Sequence, residues 1–281
     1  EGWPFIYWIS DGFREKFKGV KIKDVAKSGI GLSTSDNEKY IRFWWEIEHT
    51  FSSSSWKIIA KGGKFNKWYG NLWLCSQWGE GKFNLKANPA ATLRNQSYYF
   101  KKGYFFNRAS TKGVSSKILP ENCLIESSIV TVYTDDSNLL NLLAYSNSLL
   151  FQYIADCLNA TVSFQAGDNE RVPYVRPSEA IAKIIEIASM TNIEIKKKLF
   201  SYIIFETNFK QSPLLAFQGA ALKDRVLAYL NFENAQLTQV LINEAIINEL
   251  VFEVYELSEA DREQVEAKMG KSIGQLPIAN Y

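Results

Sequence analysis

Along this chain the apolar positions change rhythm once. From residue 1 to about 134 they fall in short aromatic and β-branched runs, such as Trp56-Lys57-Ile58-Ile59 and Ser97-Tyr98-Tyr99-Phe100. Gly62-Gly63, Gly79, Gly81, Asn88-Pro89 and Gly103 break those runs. Rings and branched side chains suit a pleated, half-buried surface, whereas glycine and Asn-Pro turn the chain, so this stretch predicts an irregular β-rich domain. Within it, residues 15–25 predict a short helix, residues 128–133 a strand and the serine tract 52–55 a loop.

After residue 134 the spacing becomes helical. Asp135-Asp136-Ser137 offers capping side chains, and Leu139, Leu140, Leu142, Leu143, Leu149, Leu150, Tyr153, Ile154 and Leu158 form an apolar stripe that predicts one long helix over 138–159. Residues 160–168 alternate as a strand that ends in a turn, and Val172-Pro173-Tyr174-Val175-Arg176-Pro177 halts regular structure, which places a linker there. Beyond it Ser178 caps a helix with Ile181, Ile184, Ile185, Ile187 and Ala188 on one face. Further helices are expected over 222–230, 236–256 and 258–268, the last opened by Ser258 and Asp261 and closed by Gly270. The fold class is therefore α+β, an irregular β-rich domain over 1–175 followed by a helical domain over 176–281. No apolar run approaches the roughly 18 residues of a membrane-spanning helix, so a membrane role is not expected.

Composition narrows this only in part. The 281 residues can make one large domain or two ordinary ones, and 46% hydrophobic with 22% charged residues is ordinary for a folded soluble protein. Cys75, Cys123 and Cys157 are odd in number and too far apart for a zinc knuckle, which argues against a disulfide framework and for a reducing compartment such as the cytoplasm. The chain starts at Glu1 and runs straight into apolar aromatic sequence, which reads as a piece cut from something longer. Charge is more informative. Before Thr134 there are 20 lysines and arginines against 11 acids, a balance of +9, and from there on 12 against 19, a balance of −7. All eight tryptophans lie within the first 78 residues. A basic half can hold a polyanion because neutralised phosphates release their counterions, and the acidic half would be repelled from the same ligand.

The search for catalytic chemistry returns absences. There is no P-loop, no Gly-x-Gly-x-x-Gly after a strand, no His-Glu-x-x-His, no Cys-x-x-Cys and no Gly-x-Ser-x-Gly, and His49 is the only histidine. The acid pairs Asp135-Asp136 and Glu46-x-Glu48 read as helix capping and solvated edges, so neither a catalytic set nor a metal site is expected. The strongest local feature is Lys61-Gly62-Gly63-Lys64-Phe65-Asn66-Lys67-Trp68-Tyr69-Gly70, where lysines interleave with rings and glycines let a backbone approach closely. Lysines there would neutralise phosphates while Trp68 or Tyr69 meets sugar or base. A second basic set, Lys101, Lys102, Arg108, Lys112 and Lys117, surrounds Gly103-Tyr104-Phe105-Phe106-Asn107. Arg42, Arg94, Asn95, Gln96 and Asn107 are polar side chains able to pair with base edges.

Several of these segments carry a family resemblance. Gly31-Leu32-Ser33-Thr34-Ser35-Asp36-Asn37-Glu38-Lys39-Tyr40-Ile41-Arg42 resembles the Gly-x-x-Thr-x-Asp-Asn-x-x-Phe-x-Arg signature that opens the target-recognition region of large adenine-specific DNA methyltransferases, of the BREX phage-defence and type IIG restriction-modification kinds. The 61–70 segment is similar to the Lys-Gly-Gly-x-x-x-x-Trp-Tyr-Gly that follows, and Asn95 to Gly103 resembles the family's segment before its next strand. Leu140 to Asn159 with Val162 to Asp168, Phe205-Glu206-Thr207 with Ser212-Pro213-Leu214-Leu215, and Asn248 to Glu266 look like later parts of the same proteins. One departure is Phe105-Phe106-Asn107-Arg108, where family members often carry a Thr-Trp or similar polar pair.

The resemblance implies a DNA target-recognition region. Its double-stranded DNA would be held by Thr34, Asp36, Asn37, Arg42, Lys61, Gly62, Gly63, Lys64, Lys67, Trp68, Tyr69, Gln96, Lys101, Lys102 and Arg108. It also implies an N-terminal methyltransferase domain, outside these residues, that binds S-adenosylmethionine and holds the target adenine with Asn-Pro-Pro-aromatic. Here the only Asn-Pro is Asn88-Pro89, followed by Ala90-Ala91, so no cofactor and no catalysis are expected of the chain itself. Two other readings stay open. One is a carbohydrate- or protein-binding module with a helical oligomerisation domain, and the other is a self-contained nuclease, whose Pro-Asp and Glu-x-Lys pattern is not found as a set.

Overall fold

Two four-stranded sheets organise the first half of the chain. The computed structural model describes residues 9–47, 55–159 and 161–272; Trp3, Trp8, Glu48, His49, Ala160 and positions 52–54 of the serine tract lie outside them. In the first sheet β1 (Lys27–Gly29) pairs with β8 (Ile129–Tyr133), β8 with β5 (Gly103–Asn107) and β5 with β6 (Lys117–Leu119), all antiparallel. The second sheet runs β2 (Ile41–Phe43), β4 (Leu74–Gln77), β3 (Trp56–Ala60) and β7 (Cys123–Ile125), with β3 and β7 parallel and the other pairs antiparallel. β5 and β8 read as continuous apolar runs because both their faces are covered: every residue of β8, and Gly103 to Phe106 of β5, is buried.

The chain steps from one sheet to the other at Glu126, Ser127 and Ser128. The buried Glu126 carboxylate organises that step by accepting the Ser127 hydroxyl at 3.0 Å, the Ser128 N–H at 2.8 Å and the Ser128 hydroxyl. Gly31, the first residue of the signature segment, lies against the same corner. A Cβ at Gly31 would sit 1.8 Å from the Ile125 carbonyl oxygen, so this position admits no side chain.

The helices depart from the periodicity in ways that tertiary contacts explain. Instead of one helix over 138–159 there are two, α4 (Asp136–Asn147) and α5 (Leu149–Leu158). Ser148 is extended between them; its hydroxyl accepts the Phe151 N–H at 3.2 Å and donates to the Tyr145 carbonyl at 2.7 Å. Asn147 meanwhile bonds both backbone groups of Ser116. The strand expected over 160–168 is replaced by the helix α6 (Ala166–Arg171), which Asp168 nucleates by accepting the Gln165 N–H at 2.9 Å and the Asn159 amide at 2.8 Å. Residues 15–25 make two short helices, α1 (Asp11–Lys16) and α2 (Ile22–Val25), on either side of Gly19.

The aromatic run 97–100 is likewise a 3-10 turn rather than a strand, with Phe100 in the left-handed region at φ 63°. Its rings pack from a loop, Tyr98 stacked on Tyr133 at 4.6 Å and Tyr99 edge-on to Trp78 at 5.6 Å.

In the second half Ser178 caps α7 (Glu179–Phe200), and a short α8 (Pro213–Ala216) follows. The two helices expected over 222–256 are one, α9 (Leu222–Val254), since residues 231–235 hold no glycine or proline to interrupt it. α10 (Glu259–Met269) starts at Ser258 and stops at Gly270, where the pattern placed it. The architecture is thus α+β, with β structure concentrated in the first half and helices in the second. One hydrophobic cluster runs through both, from Phe13 and Trp68 through Phe105, Val130, Leu142 and Ile154 to Ile195, Val251 and Val265. Residues 172–175 are held on two sides: Ile22 N–H donates to the Val172 carbonyl at 3.0 Å, and the Tyr255 and Tyr145 hydroxyls donate to the Pro173 carbonyl at 2.9 and 2.8 Å.

Lys117 on β6 is an exception to apolar burial. Its side chain is inaccessible, its ammonium meets the Ser115 carbonyl at 2.9 Å and lies 5.4 Å from the Phe105 ring centre, and burial lowers its pKa to about 7. The folded protein therefore gives up a proton that the unfolded chain keeps up to the ordinary lysine range. The resulting penalty is full near pH 7 and fades as pH rises toward 10.5. Lys117→Met should be more stable than wild type at pH 7, with the difference shrinking by pH 10, as measured by urea unfolding at both pH values.

Candidate nucleic-acid interface

The lysine-glycine segment leaves the end of β3 and divides into an open front and a buried back. At the front, Gly63, Lys64 and Phe65 are exposed. Asn107, at the end of β5, donates to the Gly63 carbonyl at 2.7 Å and accepts the Gly63 N–H at 3.4 Å; Ser128 accepts the Gly62 N–H at 2.9 Å. Asn71 donates to the Lys64 carbonyl at 3.0 Å and accepts from the Asn66 amide at 3.2 Å. Each backbone polar group so held is one that water would otherwise have to satisfy, and the turn is fixed in one shape.

The back of the segment joins the two halves of the protein. Trp68 sits in the left-handed region at φ 74°, a conformation that costs a bulky residue on the order of 1–3 kcal/mol. Backbone bonds to Ser116 at 2.8 Å and Ile118 at 3.0 Å hold it against β6. Its buried indole N–H donates to the Glu244 carboxylate of α9 at 2.7 Å, and the Lys67 ammonium lies 3.5 Å from the same carboxylate and 3.0 Å from the Asn147 carbonyl. Tyr69 meets Phe200 edge-on, and Gly70, at φ 123°, would place a Cβ 2.5 Å from that ring. Glu206, from the loop after α7, accepts the backbone N–H groups of Asn71 and Leu72, and burial raises its pKa to about 7.

Between the turn and the loop after β5 lies a groove of about 630 Å³ whose lining includes Lys64, Phe65, Asn66, Asn107, Thr111 and Lys112. No carboxylate belongs to that lining among the described residues. It brings together residues 63–66 and 107–112, which stand more than 40 positions apart in sequence. Lys64 and Lys112 are both exposed, and neither has an acidic partner among the described residues. The Lys64 ammonium lies 5.9 Å from the Phe205 ring centre.

The other sequence-derived candidates are distributed differently. Lys61 is paired with Glu126 at 3.7 Å, and Lys102 with Asp136 at 3.2 Å. Arg108 donates to Gln165 at 2.9 Å and to the Ser127 carbonyl at 2.7 Å. Lys101 and Gln96 are exposed. Thr34 is buried and donates to Asn37 at 2.6 Å, while Asp36 accepts the Lys39 N–H at 2.9 Å as the N-cap of α3 (Asn37–Tyr40). Arg42 donates to the Glu38 and Ile41 carbonyls and covers the Phe83 ring at 5.2 Å. Glu244, which the sequence did not single out, contacts Trp68 and Lys67 of the segment, and Glu206, quoted only within a family-like stretch and given no role there, holds the backbone just after it. A signal for Glu244 was present: it lies one helical turn from buried Val240, Ile247 and Asn248, so a carboxylate occupies the inward face of α9. Glu206 lies in an irregular loop and offers no such period.

In sequence the chain is similar to large adenine-specific methyltransferases. The chain is 26% identical over 264 residues to the adenine-specific methyltransferase BrxX of Escherichia coli O9:H4 (strain HS), covering 90% of this chain and 21% of BrxX. It is 25% identical over 196 residues to the adenine-specific methyltransferase PglX of Lacticaseibacillus casei (strain Zhang), covering 62% of this chain and 16% of PglX. The chain thus spans about a fifth or less of the length of these relatives. Among solved structures, its fold is shared with the type IIL restriction-modification enzyme MmeI in complex with DNA. There the TM-score is 0.51 at 12% identity, over 90% of this chain and 36% of MmeI. No protein-family model matches the chain.

Two measurements test the clamp. Glu244→Ala leaves a buried indole N–H unpaired and should destabilise by about 2–3 kcal/mol in urea unfolding, with Glu244→Gln losing clearly less; equal stability of all three would remove the role assigned to this contact. For Glu206 the folded pKa lies above the ordinary carboxylate value, so its stability penalty is absent below about pH 4.5, grows with pH and is complete above about 7. The stability of Glu206→Gln should accordingly gain on that of wild type between pH 5 and pH 8.

Proposed function

We propose that this chain is the DNA target-recognition region of an adenine-N6 DNA methyltransferase, reading a duplex site for a methyl-transfer centre carried elsewhere in the polypeptide. Residues 1–175 would form the recognition domain and 176–281 its helical support. The observation that carries the reading is the groove. Two exposed ammonium groups from distant segments face one channel with no carboxylate in its lining among the described residues and with a hydrogen-bonded wall, an arrangement that favours phosphates through charge and counterion release. Support also comes from the relatives, two named adenine-specific methyltransferases and one solved in complex with DNA.

Lys64 and Lys112 would neutralise phosphates, and Lys101 would extend the contact. Polar side chains in and around the groove, such as Asn66 and Thr111, can pair with base edges. Trp68, Tyr69, Lys67, Lys61 and Arg108 serve the recognition surface from behind, by fixing its shape.

The residues present do not fit S-adenosylmethionine or a methyl-accepting adenine. Among the described residues β3 and β7 are the one parallel strand pair of the two sheets, and no Gly-rich strand-to-helix turn is associated with them. The Asn88 amide donates to the Thr34 carbonyl at 2.9 Å while its oxygen accepts the Ala90 N–H at 3.1 Å, so both ends of that side chain are engaged. The donor and the transfer step belong to another part of the enzyme. No helix among the described residues is long and apolar enough to cross a membrane.

Fluorescence anisotropy of a labelled mixed-sequence duplex, titrated with the 281-residue chain at several salt concentrations, tests the reading. Affinity should fall linearly with the logarithm of salt, and Lys64→Ala and Lys112→Ala should each flatten the slope by about one. Binding indifferent to salt, or to both substitutions, would sink it.

A further inference from the structure

Four large aromatic side chains are exposed among the described residues: Phe43, Trp45, Phe65 and Phe205. Three are covered in part by one another or by neighbours. Phe43 and Trp45 stack at 4.6 Å, nearly parallel, and Phe205 is flanked by the Trp73 ring and the Lys64 ammonium. Phe65 is different: no ring or cation among the described residues lies against it, and it is presented at 37% exposure inside the groove, next to Lys64 and across from Lys112. An apolar ring in water is unfavourable, and a mobile loop would fold it inward. This loop cannot follow, because Asn107, Ser128 and Asn71 hold the backbone at residues 62, 63 and 64.

Resting on the DNA reading, we infer that Phe65 is the stacking residue of the groove, a ring held ready to lie against the face of a base at a partly unstacked step while the flanking lysines hold the phosphates. A base offers what this surface lacks, a flat π face, and every base has one, so the contact adds affinity and deforms the duplex without reading sequence. A rigid presentation keeps the ordering cost of the contact low.

The test uses the 281-residue chain and a pool of random-sequence duplexes carrying 5-iododeoxyuridine, which on irradiation crosslinks to an aromatic side chain stacked on the base. Mass spectrometry of the digested adduct should place a crosslink on Phe65. Phe65→Ala should remove it and weaken duplex binding about 10-fold with the salt slope unchanged, and Phe65→Trp should restore both binding and crosslink. If binding remains salt-dependent and sensitive to Lys64 and Lys112 while Phe65→Ala binds as wild type, or the crosslinks fall only on other residues, Phe65 is not the stacking residue and the DNA reading stands. If the chain shows no salt-dependent binding to the duplex pool, that reading fails and the role of Phe65 fails with it.

Discussion

The hydrogen bond from the Trp68 indole to the Glu244 carboxylate is the contact on which the rest of this structure turns. It spans 176 positions of sequence and ties a turn at the end of β3 to the middle of the longest helix. A carboxylate shared between an indole N–H and the Lys67 ammonium is stronger than a neutral pair, and it sits where water is largely excluded. Trp68 adopts an unfavourable backbone conformation there, which is tolerable because β6 holds its peptide groups and α9 holds its ring system. Glu206 acts on the same strand of chain a few residues on, so two acids of the acidic half grip the basic half.

That clamp changes what the charge of the first half means. A balance of +9 suggests a broad basic face, yet part of it is offset within the fold by acids of the second half and by burial. Lys67 faces Glu244 and Lys102 faces Asp136, both acids of the second half, and Lys117 is buried with a pKa near 7, while Lys61 is paired with Glu126 of its own half. What survives near the groove is a small number of cations, Lys64 and Lys112 foremost, set at defined positions. Such a surface would discriminate by geometry more than by bulk attraction, which suits the proposed recognition of a duplex site.

Burial follows the same division. The motif segment that looked like a single ligand-binding loop is half surface and half core, and two of its three aromatic members fall on the core side. Trp68 and Tyr69 stabilise the fold and shape the turn; Phe65, between the two exposed positions and the buried ones, is the ring left facing solvent.

Sequence alone determined the local matters. The capped helix starts at Ser178 and Ser258, the stop at Gly270, the β8 strand, the α+β class and the similarity to adenine-specific methyltransferases all rest on short-range spacing and residue type, which a linear chain displays directly. Tertiary structure decided whatever depended on a distant partner. Ser148 splits a helix because Asn147 is occupied by Ser116 and Leu149 by Asn248; residues 231–235 stay helical because nothing nearby breaks them. The 97–100 rings pack from a turn because Trp78 and Tyr133 receive them there. For the site, composition could count lysines but not pair them, since pairing is set by which acids the fold carries across tens or hundreds of residues. The groove exists only once the ends of β5 and β3, which belong to different sheets, come together through the Asn107 contact to Gly63, a proximity invisible in the spacing of either segment.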